Sequence, residues 1–210
     1  MKKIITIDGP AASGKEKISK YVSRKWKYKH LDSGTLYRNL AFILLENGVN
    51  LKSTSEIKKV IFKLKKISFN KYKKLRTERI SRVASSIAVH QFVRDFINKS
   101  QRNFVNSNKT NSNFVVDGRD IGSVVFKKAD LKLYIDVSEE NRAKRRYKQL
   151  IDNGEKSIYR QILKDIKLRD KKDKARKNSP LVIPNGAFII DNNGTFQKTT
   201  EQINKLIKKI

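Results

Sequence analysis

With 210 residues, 38% of them hydrophobic, the chain has material for one moderately large domain with a buried core. No stretch approaches the roughly 18 apolar residues of a membrane span, and the absence of cysteine excludes disulfides and thiolate metal sites. Lysine and arginine number 49 against 20 acidic residues, a net charge of +29 that favours polyanionic partners as a class.

That charge is spread from Lys2 to Lys209, so it marks no single footprint; the blocks "KLKK" at 63–66 and "RDKKDKARK" at 169–177 are its densest runs. The opening "MKKIITIDGP" has neither the apolar core nor the cleavage pattern of a signal peptide. A cytoplasmic location without membrane attachment is the expectation.

The first element is "KIITI", an apolar β-branched run stopped by Asp8-Gly9-Pro10, which reads as a buried strand. Ile18, Tyr21, Val22 and Trp26 then share one face of a helix. "YKHLD" at 28–32 predicts a second strand, and residues 35–47 a helix stopped by Gly48. Ser53 and Glu56 have capping-box spacing before Ile57, Val60, Ile61 and Leu64. After the weakly patterned "SFNKYKK" at 68–74, one long helix is expected from about Arg76 to Phe104, then the polar loop "NSNKTNSN" at 106–113. "FVVDG" at 114–118 and "LKLYID" at 131–136 predict two more strands. Ser138 would cap a helix through "EENRAKRRYKQLI", Gly154 would break it, and a further helix would run to about Lys177. "AFIID" at 187–191 predicts a fifth strand, and a last helix carries Ile203, Leu206, Ile207 and Ile210.

Strands alternating with helices predict an α/β fold with a largely parallel sheet covered on both faces. Ligands in such folds bind beyond the carboxyl ends of the strands, which directs attention to residues 8–17, 32–38 and 117–123.

Gly9-Pro10-Ala11-Ala12-Ser13-Gly14-Lys15 fills the first seven places of the phosphate-loop pattern G-x-x-x-x-G-K-[ST], between a strand and a helix as that pattern requires. Successive backbone N–H groups and a helix N-terminus suit an anion there. Lys15 would bring a positive charge to the transferring phosphate. The last place fails: neither Glu16 nor Lys17 offers the hydroxyl that helps hold Mg²⁺. Glu16 would bring a carboxylate toward the metal and negative charge toward the phosphates, and Lys17 charge without metal geometry.

"ITIDGPAASGK", "LDSGTLYR", "LRTERIS", "VVDGRDIGSVVF" and "IKLRDKKDKARKNSPL" occur in that order between residues 5 and 181. Together they resemble bacterial cytidylate kinase, of the P-loop nucleoside monophosphate kinase group, over nearly the whole chain. The resemblance implies a single kinase domain over 1–210 with a five-stranded parallel sheet, a shortened CMP-side insert at 48–75 and a mobile lid near 142–165. It implies phosphoryl transfer from ATP, with Mg²⁺, to CMP or dCMP, by a monomer with no obligate nucleic-acid partner; incidental polyanion binding follows from the charge alone.

Residue by residue, the resemblance places Arg38 and Arg119 at the CMP phosphate, and Arg94 and Arg176 near the cytosine and the transferred group. With Lys15, the arginines Arg38, Arg119 and Arg176 form the candidate catalytic set; planar, permanently charged guanidinium groups suit a site where two anionic nucleotides meet. Ser33 and Asp120 match the cytosine contacts, and Ser85, Arg169 and Asp173 the pentose contacts. Gly9 to Lys17 with Arg142, Arg145 and Arg146 make up the ATP side. Asp117 and Asp8, at two strand ends, are the candidate groups around Mg²⁺; an Asp turn at the following glycine is the other reading of each. His30 and His90 are read as structural or surface residues. Two other readings stay open: a catalytically weak nucleotide-binding relative, because the departures lie on the ATP side, and a basic RNA-binding protein, although no RNA-reading module is evident.

Overall fold

The computed structural model describes residues 2–69, 75, 77–108, 112–152 and 154–210. Parts of the 48–75 insert and of the 106–113 loop therefore lie outside the described residues, as does Arg76, where the long helix was expected to start. Strands β1 (Ile4–Asp8), β2 (Lys29–Asp32), β3 (Phe114–Gly118), β4 (Leu131–Asp136) and β5 (Phe188–Asp191) form one five-stranded sheet in the order β2-β3-β1-β4-β5. β1 pairs in parallel with both β3 and β4, and β4 pairs in parallel with β5. The α/β fold with a parallel five-stranded sheet is thus as the sequence predicts.

The helices are α1 (Lys15–Trp26), α2 (Ser33–Glu46), α3 (Thr54–Lys63), α4 (Glu78–Ile87), α5 (Gln91–Ser107), α6 (Glu139–Asp152), α7 (Tyr159–Ala175) and α8 (Phe196–Ile207). None is long and apolar enough to cross a membrane. The contacts divide the chain into two compact units, residues 1–30 with 111–210, and residues 31–110.

The first unit is built on the sheet. Alternation along β1 sends Ile5 and Ile7 into one apolar layer with Ile18 and Val22 of α1, Leu133 and Ile135 of β4, and Ile203 and Ile207 of α8. Each such buried aliphatic side chain contributes about 1.5–3 kcal/mol. The opposite alternation puts Thr6 and Asp8, both fully buried, on the other side of the strand.

The second unit is helical. Leu36, Leu40 and Leu44 recur at four-residue spacing along α2, which packs on α4 and α5. Ile57 anchors α3, which packs on α5. Ser53 caps α3, its Oγ accepting from Glu56 N at 3.3 Å, but Glu56 turns to Asn50 N instead of closing the reciprocal half of the box.

One expected element divides. The run read as a single helix to Phe104 is two helices, α4 and α5, separated at Ala88–His90 without glycine or proline. The agent is Arg94, 1% exposed, whose Nε donates to the carbonyl of Ala88 at 2.8 Å. A buried guanidinium satisfying the carbonyl of Ala88, the residue that caps α4, stabilises the break.

Candidate active site

The phosphate loop leaves the end of β1. Gly9 has φ of 152°, and a Cβ there would meet the carbonyl oxygen of Ile135 at 2.8 Å, so the chain leaves the strand only with glycine at this place. Gly14 sits in the left-handed region ahead of α1, where a Cβ would approach Asn192 Nδ2 at 2.9 Å. The loop is braced from outside. Asn192, which follows β5, donates from Nδ2 to Ser13 O at 2.8 Å and accepts from Thr199 Oγ1 at 2.8 Å. Arg142, 2% exposed on α6, donates to the carbonyls of Ala11 and Val137 and pairs with Asp170 of α7.

Lys15 folds back over this loop, its Nζ donating to Pro10 O at 2.7 Å and to Ser13 Oγ at 3.1 Å. Burial holds its pKa well below the ordinary lysine value, and the nearby charge of Arg119 pushes it the same way, against Asp117 and Asp8. A buried Lys15 and a partly buried Arg119, close enough that one charge disfavours the other, form a place that an anion relieves.

Arg119 and Asp120 follow β3 directly. Arg119 Nε donates to Asp173 Oδ2 at 3.1 Å, and Arg176 NH1 lies 3.5 Å from Asp173 Oδ1. Burial alone would raise the Asp173 carboxyl; the charges of Arg119, Arg176 and Arg169 outweigh it and hold the group below its ordinary value. Asp120 is buried and precedes a π-helical turn, Ile121–Val125. That turn is tied to β1 by Asp8, whose two carboxylate oxygens accept from Ile121 N at 2.8 Å and Gly122 N at 2.7 Å. Burial drives the Asp8 pKa up to about 7, although both backbone hydrogen bonds favour its charged form.

The second unit arranges its own candidates. Asp32 caps α2 and accepts from Thr35 N and Oγ1 and from Arg38 NH2, the last at 3.0 Å. Ser33 is buried in the first turn of α2, Arg38 one turn further on is partly buried, and Ser85 is partly exposed on α4. The guanidinium of Arg94 lies 5.9 Å from the Tyr37 ring centroid.

Thus Lys15, Asp117, Arg119, Asp173, Arg176, Arg169 and Asp8 come together electrostatically in the first unit, with Asp120 acting on Asp8. The three arginines of α6 do not act alike. Arg142 is the buried strut described above, Arg145 donates to Asn192 O at 2.7 Å, and Arg146 donates to Gln149 on the exposed face. Sequence reasoning missed Asn192, Asp170 and the 2.5 Å contact of His30 Nε2 with Asp117 Oδ1. No signal in the chain marked Asn192 or Asp170; His30 was read as structural or surface, and its contact with a candidate site carboxylate goes beyond that reading.

Among the described residues no cluster of three or more His, Asp or Glu forms a metal cage. Asp8 has each carboxylate oxygen on a backbone donor and ties the turn to β1. Asp117, close enough to favour the charge of Lys15, fits a Mg²⁺ that keeps its waters and arrives on phosphates.

The loop between β1 and α1, with the parallel sheet, defines a P-loop kinase fold. The cytidylate kinase family model matches residues 5–210. A cytidylate kinase from Fusobacterium nucleatum is 35% identical over 99% of this chain and 98% of its own length, and one from Rickettsia africae is 38% identical over 97% and 91%. The crystal structures of TT1252 from Thermus thermophilus (TM-score 0.53, 16% identity, 100% and 98% covered) and of an uncharacterised protein from Eubacterium ventriosum (0.56, 15%, 100% of both) share the fold. This chain belongs to the cytidylate kinase family.

Proposed function

We propose that the protein transfers the terminal phosphoryl group of ATP to CMP or dCMP, giving ADP and CDP or dCDP. The observation that carries this reading is the buried Lys15 folded over a phosphate loop, with the charge of Arg119, itself oriented by Asp173, acting on it from nearby. The loop amides would hold the donor phosphates. Lys15 would leave Pro10 O and Ser13 Oγ to follow the transferring group, and Arg119, Arg176 and Arg38 would bind acceptor and transferred oxygens. Asp120 and Ser33 would read the cytosine, a carboxylate accepting from the exocyclic amine that uracil lacks. Ser85, Arg169 and Asp173 would take the pentose, and Arg94 would support the base side.

The acceptor phosphate is already an anionic nucleophile, so alignment, charge and exclusion of water supply the catalysis and no general base is required. Mg²⁺ on the donor, near Asp117, would neutralise phosphate charge.

The deciding experiment is a coupled assay with Mg²⁺ and ATP against CMP, dCMP, UMP and AMP at physiological salt. Turnover confined to the cytidine nucleotides supports the reading. Tight CMP binding with no turnover of any acceptor overturns it in favour of a nucleotide-binding relative.

A further inference from the structure

The place where the phosphate-loop pattern expects a hydroxyl is filled by Glu16, and the residue after it, Lys17, is a cation whose position is specific. Lys17 is exposed in the first turn of α1, and its Nζ lies over the ring of Phe196, 4.2 Å from the centroid. Glu16 does not replace the missing oxygen, since its carboxylate pairs with Lys20 one helical turn away at 2.8 Å. The turn that in other P-loops contributes to metal binding here contributes positive charge.

The ring beneath Lys17 is fixed to the same loop. Phe196 is the first residue of α8, capped by Thr195, and stands edge-on to Tyr21 at 5.8 Å. The segment leading to it is joined to the loop by Asn192 on Ser13 and by Thr199 on Asn192. Lys17, Tyr21, Arg24, Lys25 and Phe196 line a cavity of about 420 Å³ with three cations and no carboxylate.

A cation over an aromatic ring at an exposed site gains less than a hydrogen bond to a charged partner contributes. A lysine stem of four carbons turns readily between two such partners. A polyphosphate within reach of Nζ would therefore outcompete the ring.

We propose that Lys17 is a phosphate-binding residue of the donor site, held over Phe196 until a nucleoside triphosphate arrives, and that it reduces the dependence of donor binding on Mg²⁺. This rests on the reading of the loop as the ATP site. Its consequence is measurable without turnover: metal-free ATP should bind, and the ratio of affinities with and without Mg²⁺ should be small.

The test is calorimetric titration of ATP into the full chain, in excess Mg²⁺ and in a chelator, for wild type, Lys17→Met, Lys17→Thr and Phe196→Leu. Lys17→Met should weaken metal-free binding by roughly tenfold, about 1.4 kcal/mol. Lys17→Thr should weaken it similarly and raise the affinity ratio with and without Mg²⁺ by about the same factor. Phe196→Leu, which removes the competing ring, should leave metal-free binding equal or tighter. An affinity ratio that is the same in wild type and both Lys17 variants overturns the inference. Wild-type phosphorylation of CMP with that unchanged ratio would overturn it alone and leave the kinase reading standing. Lys17-dependent ATP binding without phosphorylation of any acceptor would support the role of Lys17 and sink the kinase reading.

Discussion

Asp8 and Gly122 join the end of β1 to the turn after Asp120, the carboxylate accepting the glycine amide at 2.7 Å. The approach is close enough that a Cβ on Gly122 would lie 2.8 Å from Thr6 Oγ1, 3.1 Å from Asp8 Oδ2 and 3.1 Å from Pro184 Cγ. Gly122→Ala should therefore destabilise the fold by about 1–3 kcal/mol through overpacking. It should also raise the KM for CMP more than that for ATP, because Arg119 and Asp120 directly precede the displaced turn. Urea unfolding and a two-substrate kinetic analysis check both; an unchanged urea midpoint would refute the crowding argument.

The pH dependence of stability follows from the same carboxylate. Asp8 titrates near 7 in the folded chain against an ordinary value of 3.8. Between those values the folded chain binds a proton that the unfolded chain has released, so this contribution is full below the lower value and is lost as pH rises through the higher one. Wild type should therefore lose stability relative to Asp8→Asn between about pH 4 and about pH 7. Parallel urea midpoints for the two proteins across that range would show that the buried carboxylate does not titrate there.

Asp173 has the opposite sign. Its carboxyl is held below the ordinary value by three arginines, so its contribution is present at neutral pH and is lost only as pH falls below the usual carboxylate range. Asp173→Ala would leave Arg119 and Arg176 without their carboxylate and should cost about 3 kcal/mol of stability. The acid limb of the stability profile should flatten as well. Chemical denaturation at neutral and acidic pH measures both effects.

Lys15 and Asp120 should separate rate from selectivity. Lys15→Ala should lower kcat by on the order of 100-fold or more, the scale for removing one group that stabilises developing charge. Asp120→Ala should instead narrow the preference for CMP over UMP, and kcat/KM for the two acceptors reports it.

Most strands were legible because they are short apolar runs ended by aspartate or glycine, and the phosphate loop because its glycines and lysine have fixed spacing. The division between α4 and α5 was not, since what stabilises it is one arginine buried against Ala88 six positions earlier. Nothing in the composition distinguishes Arg94 from its exposed neighbours. The same blindness applies to Arg142: "NRAKRR" reads as a charged helix face, yet burial places Arg142 under the phosphate loop and leaves Arg146 on the exposed face. Charged residues take their roles from tertiary surroundings, and periodicity reports only the apolar ones.

The register of the sheet also orders events during synthesis. Ile4 pairs with Phe114, and Ile5 with Leu131, so β1 leaves the ribosome long before either neighbour exists. The intervening residues 31–110 form a contiguous unit whose own contacts are available as soon as it emerges. That helical unit is therefore free to fold first, while the phosphate loop waits as unstructured chain for β3 and β4. A nascent chain arrested before Phe114 should have no grip on a nucleotide, however complete its glycine-rich segment.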